Sequence, residues 1–106
     1  MTDIELKPKG VTETRPARPP LYRVLLVNDD FTPREFVVRV LRMVFRLNAD
    51  QARAVMLAAH QRGVCVVAIY TRDVAETKAD QANDAGRQEG YPLTFRIEPE
   101  SGGGAD

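Results

Sequence analysis

The sequence predicts an α+β fold, a small β-α-α-β-α-β sandwich in which a three-stranded sheet carries three helices on one face. Three observations predict it. Two apolar, β-branched runs, Tyr22–Val27 and Val64–Tyr70, read as strands, and Thr94–Glu98 alternates like a half-exposed third. The stretches between them carry helix start and stop signals: two helices' worth after the first run, one after the second. The chain has 106 residues, room for one small domain.

The first strand is bounded by Pro19-Pro20 and by Asn28-Asp29-Asp30. Strand alternation is expected to put Asn28 and Asp30 on one face and Asp29 on the other. The first helix is expected to start at Pro33 and run to about Phe45. Thr32 is the expected N-cap, with Pro33 at the first helical position. Glu35 would complete a capping box, and Phe31 and Phe36 a hydrophobic staple. Phe36, Val37, Val40, Leu41, Val44 and Phe45 make the buried stripe, with Arg39, Arg42 and Arg46 on or near the wet side.

Asn48 and Gln51 form a second capping-box signal, and that helix ends near Arg62 at Gly63, a residue suited to the C′ position. Val64–Tyr70 is apolar enough to be a central strand covered on both faces. Thr71 is expected to cap a third helix carrying Val74, Ala75, Lys78 and Ala82, with Asp73 in its first turn. Gly86 should weaken its end and Gly90 terminate it. Tyr91-Pro92-Leu93 then leads into the last strand, an edge strand.

The folded core is expected at residues 20–99. Residues 1–19 are rich in proline and charge, and 100–106 read Glu-Ser-Gly-Gly-Gly-Ala-Asp, so both ends are expected to be disordered. Lys+Arg and Asp+Glu balance at 15 each, which advertises neither nucleic acid nor an acidic tail. The single Cys65 excludes an internal disulfide and a multi-cysteine metal site, and fits a reducing cytosol. Without an apolar run of about 18 residues, no membrane span is expected. Residues 1–20 lack the apolar region of a secretory signal.

Candidate chemistry is sparse. The Asn28-Asp29-Asp30 triplet reads either as a solvated turn that caps a helix or as a fixed pair of oxygen acceptors for something positively charged. His60, the only histidine, reads as a surface residue near a helix C-terminus, or with Met56, four residues earlier, as the rim of a small pocket. Cys65 lies inside an apolar run and Ser101, the only serine, in the tail. Asp29, Asp30 and His60 match no metal-binding spacing.

The run Tyr22-Arg23-Val24-Leu25-Leu26-Val27-Asn28-Asp29-Asp30-Phe31-Thr32-Pro33, with Glu35-Phe36-Val37, closely resembles the ClpS family. So do Met56–Gly63, the Val74-Ala75-Glu76-Thr77-Lys78 run and Tyr91-Pro92-Leu93, in the right order across roughly residues 20–98. The resemblance implies an adaptor of the bacterial ClpAP protease, not an enzyme, working in the cytoplasm as a monomer with no cofactor, metal, nucleic acid or membrane. Such adaptors bind N-degrons, proteins whose first residue is Phe, Tyr, Trp or Leu, and hand them to the ClpA unfoldase. It also implies a fold like that of a ribosomal stalk protein's C-terminal domain.

Carried over by motif, Asn28, Asp30 and His60 would hold the substrate's α-amino group. Val27, Thr32, Arg34, Val37, Met56, Ala59 and Leu93 would line the side-chain pocket. Asp73 and Lys78 would contact the ClpA N-terminal domain, and residues 1–19 would engage the unfoldase during delivery. Asp29 is left as a structural or peptide-backbone partner. Two positions depart from the family pattern: Arg34 replaces the usual Met, and Ala59 a common Val. With Arg34 able to stack on an aromatic ring, aromatic first residues are expected to outrank Leu. The alternatives are a pocket-less interaction module of ribosomal-stalk type, and a small metal-dependent enzyme built on Asp29, Asp30 and His60.

Overall fold

The computed structural model describes residues 19–101. Apart from Pro19, Glu100 and Ser101, the two ends expected to be disordered lie outside it. The elements are β1 (Leu21–Val27), α1 (Arg34–Phe45), α2 (Ala49–Arg62), β2 (Val64–Thr71), α3 (Arg72–Gln88) and β3 (Thr94–Pro99). The strands form one antiparallel sheet in the order β2-β1-β3, so the fold is the expected α+β sandwich.

The central strand is β1, not β2. Val24, Leu25 and Leu26 are buried in succession, whereas Val64, Val66 and Ile69 of β2 are 38%, 44% and 44% exposed. An unbroken apolar run does not distinguish a strand buried by neighbours on both sides from an edge strand. In β2 the run is also interrupted: Val24 pairs with Ala68 and Leu25 with Val66, leaving Val67 as the extra residue of a bulge. The exposed valines and Ile69 belong to the sheet face without helices. On that face the opposed pair Arg23 and Glu98 forms a 2.8 Å ion pair between β1 and β3.

The core lies between the other sheet face and the helices. Val24, Leu26 and Phe95 meet Val37, Val40, Leu41 and Phe45 of α1, and the Phe45 and Phe95 rings lie 5.3 Å apart. From α3 come only small residues, Ala75, Ala79, Ala82 and Gly86, so this helix lies close to the sheet. Val74 falls off that stripe and is 41% exposed. The second capping box forms as read: Asn48 N–H donates to Gln51 Oε1 (3.0 Å), and Gln51 N–H to Asn48 Oδ1 (2.8 Å). Gly63 ends α2 at φ 92°, and Arg46 ends α1 in the same left-handed region at φ 61°. Thr71 occupies the N-cap of α3, but its side chain makes no capping bond, and Arg72 pairs with Glu76 in the first turn instead.

Gly86 is not the helix weakener the sequence implied. It is buried within α3, where a Cβ would stand 2.8 Å from the Leu93 Cβ. The Tyr91 N–H also donates to the Gly86 carbonyl (2.9 Å), so the glycine seats the segment that leads into β3. Replacing Gly86 with Ala should therefore lower unfolding free energy by about 1–3 kcal/mol through overpacking, despite alanine's better helix propensity. Urea denaturation of the two proteins checks this, and a gain in stability would contradict it.

Candidate functional site

Between β1 and α1 the chain turns a corner that one carboxylate organises. Asp29 Oδ1 accepts from the Phe31 N–H (2.8 Å) and the Thr32 N–H (2.7 Å), and Oδ2 accepts from the Thr32 hydroxyl (2.9 Å). This is an Asx-type turn strengthened by charge. It displaces the expected cap. The Thr32 side chain is held at Asp29, and the N-cap position falls to Pro33 with no side-chain bond. The capping box with Glu35 is therefore absent. Phe31 is 79% exposed and forms no staple, while Phe36 packs edge-on against Tyr91 at 5.0 Å. Strand alternation does not govern Asn28 and Asp30 either, because β1 stops at Val27.

The corner is tied to the end of α2 by one backbone bond, from the Asn28 N–H to the Gly63 carbonyl (2.9 Å). His60 lies three residues before Gly63, on the last turn of α2. The left-handed turn at Gly63 thus brings His60 and the acidic corner together. Between them is a cavity of about 310 Å³. Every residue expected to hold an amino group or line a side-chain pocket is among its walls: Val27, Asn28, Asp30, Thr32, Arg34, Val37, Met56, Ala59, His60 and Leu93. Leu26, Asp29, Phe31 and Pro33 complete the lining.

The walls divide by burial. Leu26, Thr32, Val37, Ala59 and Leu93 are buried, whereas Asp30, Phe31, Arg34 and His60 are exposed. The inner part is therefore mostly apolar, and the mouth is polar. Asn28 and Asp30 supply oxygen acceptors there. Arg34 Nη2 lies 2.8 Å from His60 Nε2, across the helices α1 and α2. No sequence signal announces that contact between residues 26 positions apart. Phe31 was likewise assigned elsewhere from sequence, and its exposure at the mouth follows from the Asp29 turn.

The other expected residues lie away from this cavity. Asp73 is exposed in the first turn of α3. Lys78 is half-buried, and its ammonium donates to the Val44 carbonyl (2.9 Å) near the C-terminus of α1, where a cation complements the helix dipole. Burial pushes the Cys65 thiol up from its ordinary pKa, against a smaller lowering by Arg62, which disfavours the reactive thiolate. Among the described residues, no three His, Cys, Asp or Glu side chains gather to hold a metal ion.

Comparison with known proteins gives a consistent result. The family model described as ATP-dependent Clp protease adaptor protein ClpS matches residues 17–96. An ATP-dependent Clp protease adapter protein ClpS 1 of Rhodopseudomonas palustris is 61% identical over 102 residues, covering 94% of this chain and 99% of that protein. A ClpS 2 of Mesorhizobium japonicum is 58% identical over 100 residues, with the same coverage. Among solved structures, Agrobacterium tumefaciens ClpS2 bound to L-phenylalaninamide superposes with a TM-score of 0.77 at 55% identity, covering 78% of this chain and all of that one.

Because three hydrogen bonds converge on Asp29, Asp29→Ala should cost about 2 kcal/mol of stability. Thr32→Val, which removes only the hydroxyl bond, should cost about half as much. Chemical denaturation of both variants gives the ranking, and an unchanged midpoint for Asp29→Ala would show that the corner is held by something else.

Proposed function

The chain belongs to the ClpS family of ATP-dependent Clp protease adaptors, and on that premise we propose that its cavity captures the first residue of a substrate protein for delivery to the ClpA unfoldase. It is an adaptor and not an enzyme. The observation that carries the proposal is the pairing of a mostly apolar cavity with a mouth that presents oxygen acceptors from Asn28 and Asp30 beside His60.

An α-ammonium has three N–H donors and no acceptor, like that of lysine. The Asn28 amide oxygen, the Asp30 carboxylate and the lone pair of a neutral His60 can accept one each. The first side chain enters past Arg34 into the space lined by Val27, Thr32, Val37, Met56, Ala59 and Leu93. Burying a Leu or Phe contributes about 1.5–3 kcal/mol, and each charge-assisted bond a similar amount. Association itself costs at least about 4 kcal/mol. The two halves add, so recognition calls for a free amino terminus and a large apolar side chain together.

The Agrobacterium relative's ligand supports this reading. L-Phenylalaninamide keeps a free α-amino group and carries an amide where the next peptide bond would stand. A pocket-less module of ribosomal-stalk type would not need convergent acceptors around a cavity. A metal enzyme would need Asp29, whose carboxylate is already committed to the turn.

On the unfoldase side, Asp73 offers an exposed carboxylate, and Lys78 an ammonium that gives one donor to the Val44 carbonyl. Contact between these residues and the ClpA N-terminal domain, engagement by residues 1–19, action as a monomer and a cytoplasmic setting complete the proposal.

Two measurements test it. A Phe-initiated peptide should bind with a free terminus and lose binding when acetylated, because acetylation removes the charge and leaves the acceptors unpaired. Chelator should change nothing; equal binding of the acetylated peptide would refute amino-terminal recognition. In the second measurement, peptides beginning with Phe, Tyr or Trp should bind more tightly than one beginning with Leu, and equal affinity would remove the assigned role of Arg34.

A further inference from the structure

The site's mouth holds a contact that the binding scheme above does not use. Arg34 Nη2 and His60 Nε2 are 2.8 Å apart. A guanidinium has only donors, so in this bond the imidazole nitrogen accepts. A His60 ring that accepts this bond is neutral, with its proton on Nδ1. A neutral imidazole has one lone pair in the ring plane, and here Arg34 occupies it.

The consequence does not depend on which nitrogen a ligand approaches. An ammonium at Nε2 would need the lone pair Arg34 already holds. An ammonium at Nδ1 would need the proton moved to Nε2, which ends the bond to Arg34. The two cations exclude each other at His60, and their like charges repel.

Resting on the amino-terminal reading, we propose that Arg34 is a displaceable competitor for the His60 lone pair, and that the first side chain of the substrate decides how completely its displacement is compensated. Arg34 is exposed at the mouth and also lines the cavity, so the freed guanidinium stays beside the bound side chain. An aromatic ring offers it a face to stack on. A Leu side chain offers no such partner, so the lost bond to His60 is not replaced. Discrimination then comes from the cost of opening the site as well as from the shape of the pocket, because apparent affinity is reduced by the fraction of molecules in the competent state.

The test uses the full chain and its Arg34→Met and His60→Ala variants, with phenylalaninamide and with peptides starting with Phe or Leu. In the free wild-type protein, imidazole ¹⁵N shifts should show the Nδ1–H tautomer, and the Arg34 Nη–H protons should exchange slowly. That slowing should vanish in His60→Ala and on saturation with phenylalaninamide. Removing the competitor in Arg34→Met should tighten Leu-peptide binding on the order of tenfold. Phe-peptide affinity should change by less than about threefold, since its gain is offset by the lost stacking. Arg34 protons equally protected in the saturated complex, or equal factors for the two peptides, would overturn the proposal. Failure of the wild type to bind either peptide would overturn the amino-terminal reading and the competition with it. That outcome is distinguishable, because the Arg34–His60 bond would still be seen in the free protein.

Discussion

The site depends on a carboxylate whose acceptors face inward to its own chain. Asp29 gathers two backbone N–H groups and one hydroxyl within four residues. Those three bonds set where β1 ends, where α1 begins and which residues face the cavity between them. With Thr32 turned toward Asp29, its side chain is buried in the wall. Pro33 takes the N-cap position, and Arg34 becomes the first helical residue at the mouth. Adjacent acids in one sequence triplet thus carry opposite duties: Asp29 is engaged by the fold, and Asp30 remains exposed at the mouth.

The second constraint is the junction of α2 with β2. One glycine in a left-handed conformation separates the elements, and its carbonyl receives the Asn28 N–H. That bond couples the acidic corner to the last turn of α2, so that Asn28, Asp30 and His60 border one space although Asp30 and His60 stand 30 positions apart in the sequence. The remaining wall, Leu93, is placed from the other side by Gly86 of α3. Two helices, the end of the central strand and the segment before β3 therefore meet at the cavity, which explains how a chain this small can define a site for one residue.

Much of this was legible in the sequence, and what was not has physical causes. Asn48, Gln51 and Gly63 act through local bonds, and they formed as read. Thr32 departs from the expected cap because a carboxylate three residues back holds its side chain, and the helix begins one residue later with Pro33 at the N-cap position. The Val64–Thr71 strand was misplaced because apolar content reports side-chain environment, whereas strand order is decided by pairing across the chain. Gly86 looked like a weak point because propensity ignores Leu93, which approaches from outside the helix. The pocket residues were carried by family resemblance, and the cavity unites them. The contact between Arg34 and His60 was invisible, since it joins two helices with no shared motif.

The buried face of α2 has one more implication. Its fully buried residues are only Ala52 and Ala59, while α1 contributes Val37, Val40, Leu41 and Phe45. Small buried groups give an element little local stability, and elements of that kind open before the rest of a fold. Yet α2 is fastened at both ends, by the capping box at Asn48 and by the Asn28 bond at Gly63. His60 lies three residues before the second of these fastenings, so the histidine and the acidic corner keep their spacing as one unit, whichever ring occupies the cavity.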